Sequence, residues 1–131
     1  LGNQQIHILE TPGHTDTCIS YSIDGVVFTG DALLIRGCGR TDFQAGDAGT
    51  LYDSIHRKLF SLPDATIVYP GHDYRGFCCS TIGEEKTHNP RLGNNRPKQE
   101  FVNLMNSLDL DPPKKITEAV PGNLECGLKQ G

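Results

Sequence analysis

The sequence predicts a mixed α/β layer, in the order β-β-β-loop-α-β-α, with its functional loops gathered at one end of the sheet. Short apolar runs in the first third, broken by Pro12-Gly13, Asp24-Gly25 and Gly30-Asp31, predict a β-meander. Apolar residues at Leu51, Ile55, Leu59 and Leu62 then fall at helical spacing. A further apolar run, Thr66-Ile67-Val68-Tyr69, stops at Pro70-Gly71 and returns the chain to a sheet.

Taken in order, residues 5–9 read as a first strand and residues 18–23 as a second, alternating well enough to have one buried face. Asp24-Gly25 is a two-residue hairpin turn, with Val26-Val27-Phe28-Thr29 as the return strand. Residues 32–49 hold four glycines and no clear period, so they predict a functional loop. A helix is expected over 50–62, ended by Pro63-Asp64, and a short buried strand over 66–69. Residues 80–89 predict a short polar helix that stops before Pro90. Pro97 opens another helix, with Phe101, Leu104, Met105 and Leu108 on its apolar face. The tail from Asp111 is Pro-rich and expected to be loop-like, with Ala119-Val120 docking.

At 131 residues the chain fits one domain with a real core. A net charge of −4 without a dense basic run argues against a nucleic-acid surface. No apolar stretch approaches the length of a membrane span. Five cysteines at irregular spacings, with no C-x-x-C pair, fit a reducing compartment better than a disulfide framework. Cys38 in its Gly-Cys-Gly turn reads as a structural thiol. Leu1 is not an initiating residue, so a preceding segment is expected and the missing signal peptide carries no weight.

The chemistry is concentrated at turns. His14 follows Pro12-Gly13 after a strand, and His72 repeats that layout after Pro70-Gly71. Asp31 follows Thr29-Gly30 at the end of another strand. Imidazole nitrogen and carboxylate oxygen together suit zinc or iron, and three such groups converge if their strands are neighbours. Residue spacing leaves open which histidines ligate. Arg36 and Arg40 in the Gly-rich loop offer guanidinium forks for a carboxylate, Tyr74 a hydroxyl and Arg91 a further cation. If they converge beside the metal, they suit a small anionic substrate such as a peptide with free carboxylates.

Thr11-Pro12-Gly13-His14-Thr15, Phe28-Thr29-Gly30-Asp31, Gly37-Cys38-Gly39-Arg40 and Pro70-Gly71-His72-Asp73-Tyr74 together resemble the metallo-β-lactamase superfamily, in its glyoxalase-II-like branch. The run from Asp31 to Gln44, with Asn89-Pro90-Arg91-Leu92, resembles the persulfide dioxygenase family within it. The resemblance implies an αβ/βα sandwich holding one non-haem Fe(II) through two histidines and an aspartate. It implies His14 and Asp31 as metal ligands, and His72 as a group just outside the ligand set. Arg40, Tyr74 and Arg91 match positions that hold glutathione.

The reaction implied joins glutathione persulfide, O₂ and water to give sulfite and glutathione. The alternatives are a zinc-dependent hydroxyacylglutathione thioester hydrolase and a non-catalytic half-domain fragment. The superfamily's His-x-His-x-Asp-His motif is not found in these residues. The resemblance therefore implies the C-terminal half of a sandwich that needs its N-terminal half for the first histidine. Alone, it is expected to leave one apolar sheet face uncovered and to be neither active nor stable. A bacterial cytoplasm and a mitochondrial matrix both fit, as does a homodimer.

Overall fold

The computed structural model describes residues 2–126. Strand β1 (His7–Glu10) pairs antiparallel with β2 (Ile19–Ile23), His7 opposite Ser22 and Glu10 opposite Ile19. Asp24 (φ 41°) and Gly25 (φ 79°) both adopt left-handed backbone, the conformation that matches a tight hairpin to strand twist. The return strand, β3 (Val26–Gly30), then runs parallel to a distant one, pairing Val27 with Val68 and Phe28 with Tyr69.

Between them the expected loop contains a small hairpin, β4 (Leu33–Leu34) and β5 (Gly37–Cys38), turned through Ile35-Arg36. Strands of two residues carry too little periodicity to be read from sequence. Helix α1 (Ala48–Ser54) starts earlier than expected, because Asp47 caps it by accepting from the Thr50 amide at 2.6 Å. The chain then widens into a π-helical turn, Ile55–Leu59, in which the Phe60 amide reaches back to the Ile55 carbonyl at 2.7 Å.

Strand β6 (Ile67–Pro70) lies beside β3, and β7 (Ser80–Thr81) closes the edge antiparallel to it. Helix α2 (Ile82–His88) begins where Thr81 accepts from the Glu84 amide, and α3 (Lys98–Asn106) follows Pro97. The tail differs from expectation: Ile116–Leu124 forms a helix, α4, with Pro121 inside it. Ile116 to Val120 is ordinary helix-competent sequence, and the flanking prolines conceal it. The α4 helix buries no residue; Ala119 is exposed and Val120 half-buried. Among the described residues no helix is long and apolar enough to cross a membrane.

The sheet order is β1-β2-β3-β6-β7, mixed as expected. Pleating sends Val27, Thr29 and Val68 to one face, where they meet Leu51, Ile55, Leu59, Ile82 and Phe101, all essentially without solvent contact. The other face carries Ile8 (65% exposed), Tyr21 (42%), Phe28 (46%) and Tyr69 (38%), opposite one another across successive strands. Phe28 and Tyr69 stack at 5.6 Å. So the 66–69 strand, expected to be buried, is buried only at Val68; Ile67 and Tyr69 lie on this open face. Among the described residues helices cover one face, and the opposite face is a contiguous apolar surface.

Candidate metal centre and substrate cleft

The strand ends converge. The Gly13 peptide is fixed by its amide donating to Thr15 and its carbonyl accepting from Asp47, both at 2.8 Å. With φ at +133° and its Cα against the Leu51 backbone, position 13 admits only glycine, and His14 is delivered from a turn pressed onto α1. Asp31 leaves β3 through a turn in which the Thr29 hydroxyl donates to the Leu33 carbonyl at 2.7 Å. His72 arrives beside it because the parallel β3–β6 pairing continues one step further, the Gly71 amide donating to the Gly30 carbonyl at 2.7 Å.

The His14 ring is held through Nδ1, 2.7 Å from the Arg40 carbonyl oxygen. A carbonyl only accepts, so Nδ1 carries the proton and Nε2 keeps its lone pair. That lone pair lies 3.8 Å from Asp31 Oδ2, both groups being partly exposed. His72 Nδ1 sits 2.6 Å from the other Asp31 oxygen, Oδ1, and the His72 ring lies parallel to that of Tyr74. The donor set His14 Nε2 and Asp31 Oδ2 therefore fits one borderline divalent cation, with a carbonyl orienting the imidazole from behind, as metal-bound histidines require. Among the described residues no three His, Cys, Asp or Glu side chains group to hold an ion.

All seven side chains that the sequence singles out for the site, His14, Asp31, Arg36, Arg40, His72, Tyr74 and Arg91, line one cavity of about 450 Å³. Their availability differs. Arg40 gives Nε and Nη2 to Asp42 at 2.7 and 2.8 Å, and Nη1 and Nη2 to the carbonyls of Asp111 and Leu110 at 2.7 and 3.4 Å. That uses four of its five N–H groups and ties the 110–111 strap across the cleft. The bidentate bond from Arg40 holds the Asp42 carboxyl below its ordinary range. Arg91 Nη1 donates to the Cys38 carbonyl at 3.0 Å. Tyr74 is 84% exposed at the mouth.

Arg36 is less available than the sequence implies: its Nη1 is held by the Glu85 carboxylate at 2.5 Å, while the residue lines the cavity wall. Burial pushes the Cys38 thiol up, with Arg91 acting against it, so Cys38 stays protonated, in keeping with a structural role. Sequence reading missed Arg75 and the strap residues Leu110 and Asp111, which also line the cavity. Arg75 follows the His72-Asp73-Tyr74 run directly, which is the signal that could have found it. The strap gave none.

This chain belongs to the metallo-beta-lactamase superfamily, whose family profile matches residues 2–72. Within that class its relatives are specific. The human mitochondrial persulfide dioxygenase ETHE1 is 52% identical over 121 residues, covering 91% of this chain and 47% of that protein. The crystal structure of ETHE1 from Myxococcus xanthus superposes with a TM-score of 0.92 at 55% identity, over 97% of this chain and 56% of that one. A probable hydroxyacylglutathione hydrolase of Schizosaccharomyces pombe is 32% identical, over 90% of this chain and 56% of that protein. The chain thus spans about half the length of the curated relatives it matches.

Proposed function

We propose that these residues supply two of the three iron ligands and most of the substrate cleft of a glutathione-persulfide dioxygenase. The observation that carries the reading is the shared orientation of His14 Nε2 and Asp31 Oδ2, 3.8 Å apart, toward a cavity walled by arginines. The identity to ETHE1 proteins, 52% against 32% for the thioester hydrolase, favours dioxygenation over hydrolysis. The overall change is glutathione persulfide, O₂ and water to glutathione, sulfite and two protons.

His14 and Asp31 would hold an Fe(II) here, and that ion would supply the redox chemistry that activates dioxygen toward the persulfide sulfur. The protein's own groups do the rest. His14 is pre-set in the ligating tautomer by the Arg40 carbonyl. His72 fixes the Asp31 carboxylate plane through Oδ1 without being a ligand itself. Arg40, with one N–H left over, Arg91 and the Tyr74 hydroxyl hold the glutathione carboxylates and amides, so that the persulfide sulfur is directed inward. The third ligand, a histidine, comes from an N-terminal half outside these residues, which also covers the face of Ile8, Tyr21, Phe28 and Tyr69. A mitochondrial matrix or a bacterial cytoplasm suits the chemistry, and the human relative is named as mitochondrial.

Metal analysis of the full-length protein, joined with O₂ uptake on glutathione persulfide, tests the proposal. One iron per chain and stoichiometric sulfite are expected. Two zinc ions, no O₂ uptake and cleavage of a glutathione thioester would place the protein with the hydrolases instead.

A further inference from the structure

Helix α2 and the turn after it grip the β4–β5 hairpin at three consecutive residues. Glu85 Oε2 accepts from the Arg36 amide at 2.9 Å, Asn89 Nδ2 donates to the Gly37 carbonyl at 3.0 Å, and Arg91 Nη1 donates to the Cys38 carbonyl at 3.0 Å. Glu85 is the centre of this grip. It is fully buried, and each carboxylate oxygen accepts two bonds: Oε1 from Arg36 Nη1 at 2.5 Å and Ser80 Oγ at 2.7 Å, Oε2 from the Arg36 amide and Asn89 Nδ2 at 2.8 Å. A buried carboxylate is costly unless satisfied in this way, and disturbing one partner disturbs the set. Arg36, at φ 56°, also needs an external hold to keep its left-handed backbone.

What the grip positions is the next two residues. Gly39 runs so close to the site that a Cβ on it would overlap the Asp31 carbonyl oxygen and come 2.8 Å from His14 Nδ1. The Arg40 carbonyl then accepts from His14 Nδ1. A hairpin shifted by a few tenths of an ångström moves the one acceptor that sets the His14 tautomer and ring plane.

We infer that Glu85 is a positioning residue for the metal site, acting through Arg36 and the hairpin to fix the Arg40 carbonyl behind His14. This rests on the reading of His14 as a ligand. It adds a group 54 or more residues from both candidate ligands in sequence and in contact with neither.

The test uses the full-length protein and two readouts besides turnover: metal affinity by chelator competition, and exchange of the His14 Nδ1 proton by NMR in the metal-free protein. Glu85→Gln keeps shape but turns an amide NH₂ toward the donors it must receive. We expect metal affinity to fall about tenfold, as for groups that orient a ligand, with faster Nδ1 proton exchange. The exposed Glu100→Gln should change neither. Arg36→Gln, which frees the same carboxylate, should repeat both effects and covers the case in which Glu85→Gln does not fold. If His14→Ala loses the metal while the folded Glu85 and Arg36 variants keep wild-type affinity and exchange, the positioning role is overturned and the metal reading stands. If His14→Ala keeps its metal, the metal reading is overturned and this inference falls with it.

Discussion

His72 Nδ1 stands 2.6 Å from Asp31 Oδ1, and that contact divides the carboxylate between two tasks. Oδ1 is held by a histidine, while Oδ2 is left facing His14 Nε2. An aspartate anchored on one oxygen presents the other at a fixed angle, which is what a metal ligand with a supporting partner needs. Asp31→Ala should therefore abolish metal binding in the full-length protein. His72→Ala should retain metal but with about 10- to 100-fold weaker affinity. Metal content and chelator competition read the two. Equal losses in both variants would make His72 a ligand rather than a support.

Gly39 leads to a second prediction. Since a methyl group there has no room between the Asp31 carbonyl and the His14 ring, Gly39→Ala should spread both candidate ligands. We expect a destabilisation of about 1–3 kcal/mol, the usual scale of overpacking, together with loss of metal. Denaturant melts and metal analysis on the same sample separate the two effects. A variant that is destabilised yet binds metal normally would show that the backbone yields away from the site.

Arg40 has two roles that one substitution can separate. Arg40→Ala should leave metal content unchanged, because only the backbone carbonyl of residue 40 touches His14. Loss of a hydrogen bond to a charged group is worth about 1.5–3 kcal/mol, so the KM for glutathione persulfide should rise roughly 10- to 100-fold. The strap at 110–111 should also gain hydrogen exchange, since its carbonyls lose the guanidinium. A raised KM with an unchanged strap would mean that the strap is held by something else.

His56 gives a prediction on pH. Its half-buried ring stacks on Tyr52 at 3.8 Å, and burial lowers its pKa below the ordinary imidazole value of 6.5. Folding thus favours the neutral ring. The stability it contributes is complete above pH 6.5 and is lost as the pH falls from there through the lowered folded value. The thermal midpoint should fall between about pH 7.5 and about pH 5, and His56→Phe should flatten that part of the curve. An equal slope in both proteins would assign the acid sensitivity to other groups.

The turns were the legible part of the sequence. Pro12-Gly13, Asp24-Gly25 and Pro70-Gly71 announce sharp backbone changes whose conformations hardly any other residues adopt, and every element boundary next to them falls within a residue or two of its expected place. The turns set Asp31 and His72 at strand ends, but that they meet depends on β3 and β6 being parallel neighbours, which local spacing left open. The π-helical turn, the two-residue strands and α4 could not be read. Their backbones are chosen by packing and by bonds between distant residues, and in α4 Pro121 points the wrong way. The Arg36–Glu85 pair was hidden for the same reason: its members are 49 residues apart, and local spacing made Arg36 a ligand clamp.

Strand β3 serves three environments within five residues. Val27 and Thr29 enter the core, Phe28 points to the open face, and Asp31 continues into the site. Val27, Phe28 and Thr29 alternate on one backbone that runs on, through a register irregularity between Phe28 and Gly30, to Asp31, so a tilt at one is passed to the next. Whatever rests on Phe28 and Tyr69 therefore also bears on the angle at which Asp31 is offered. On the proposed reading, in which an N-terminal half covers this face, occupancy of the metal should then gauge how well that half is seated.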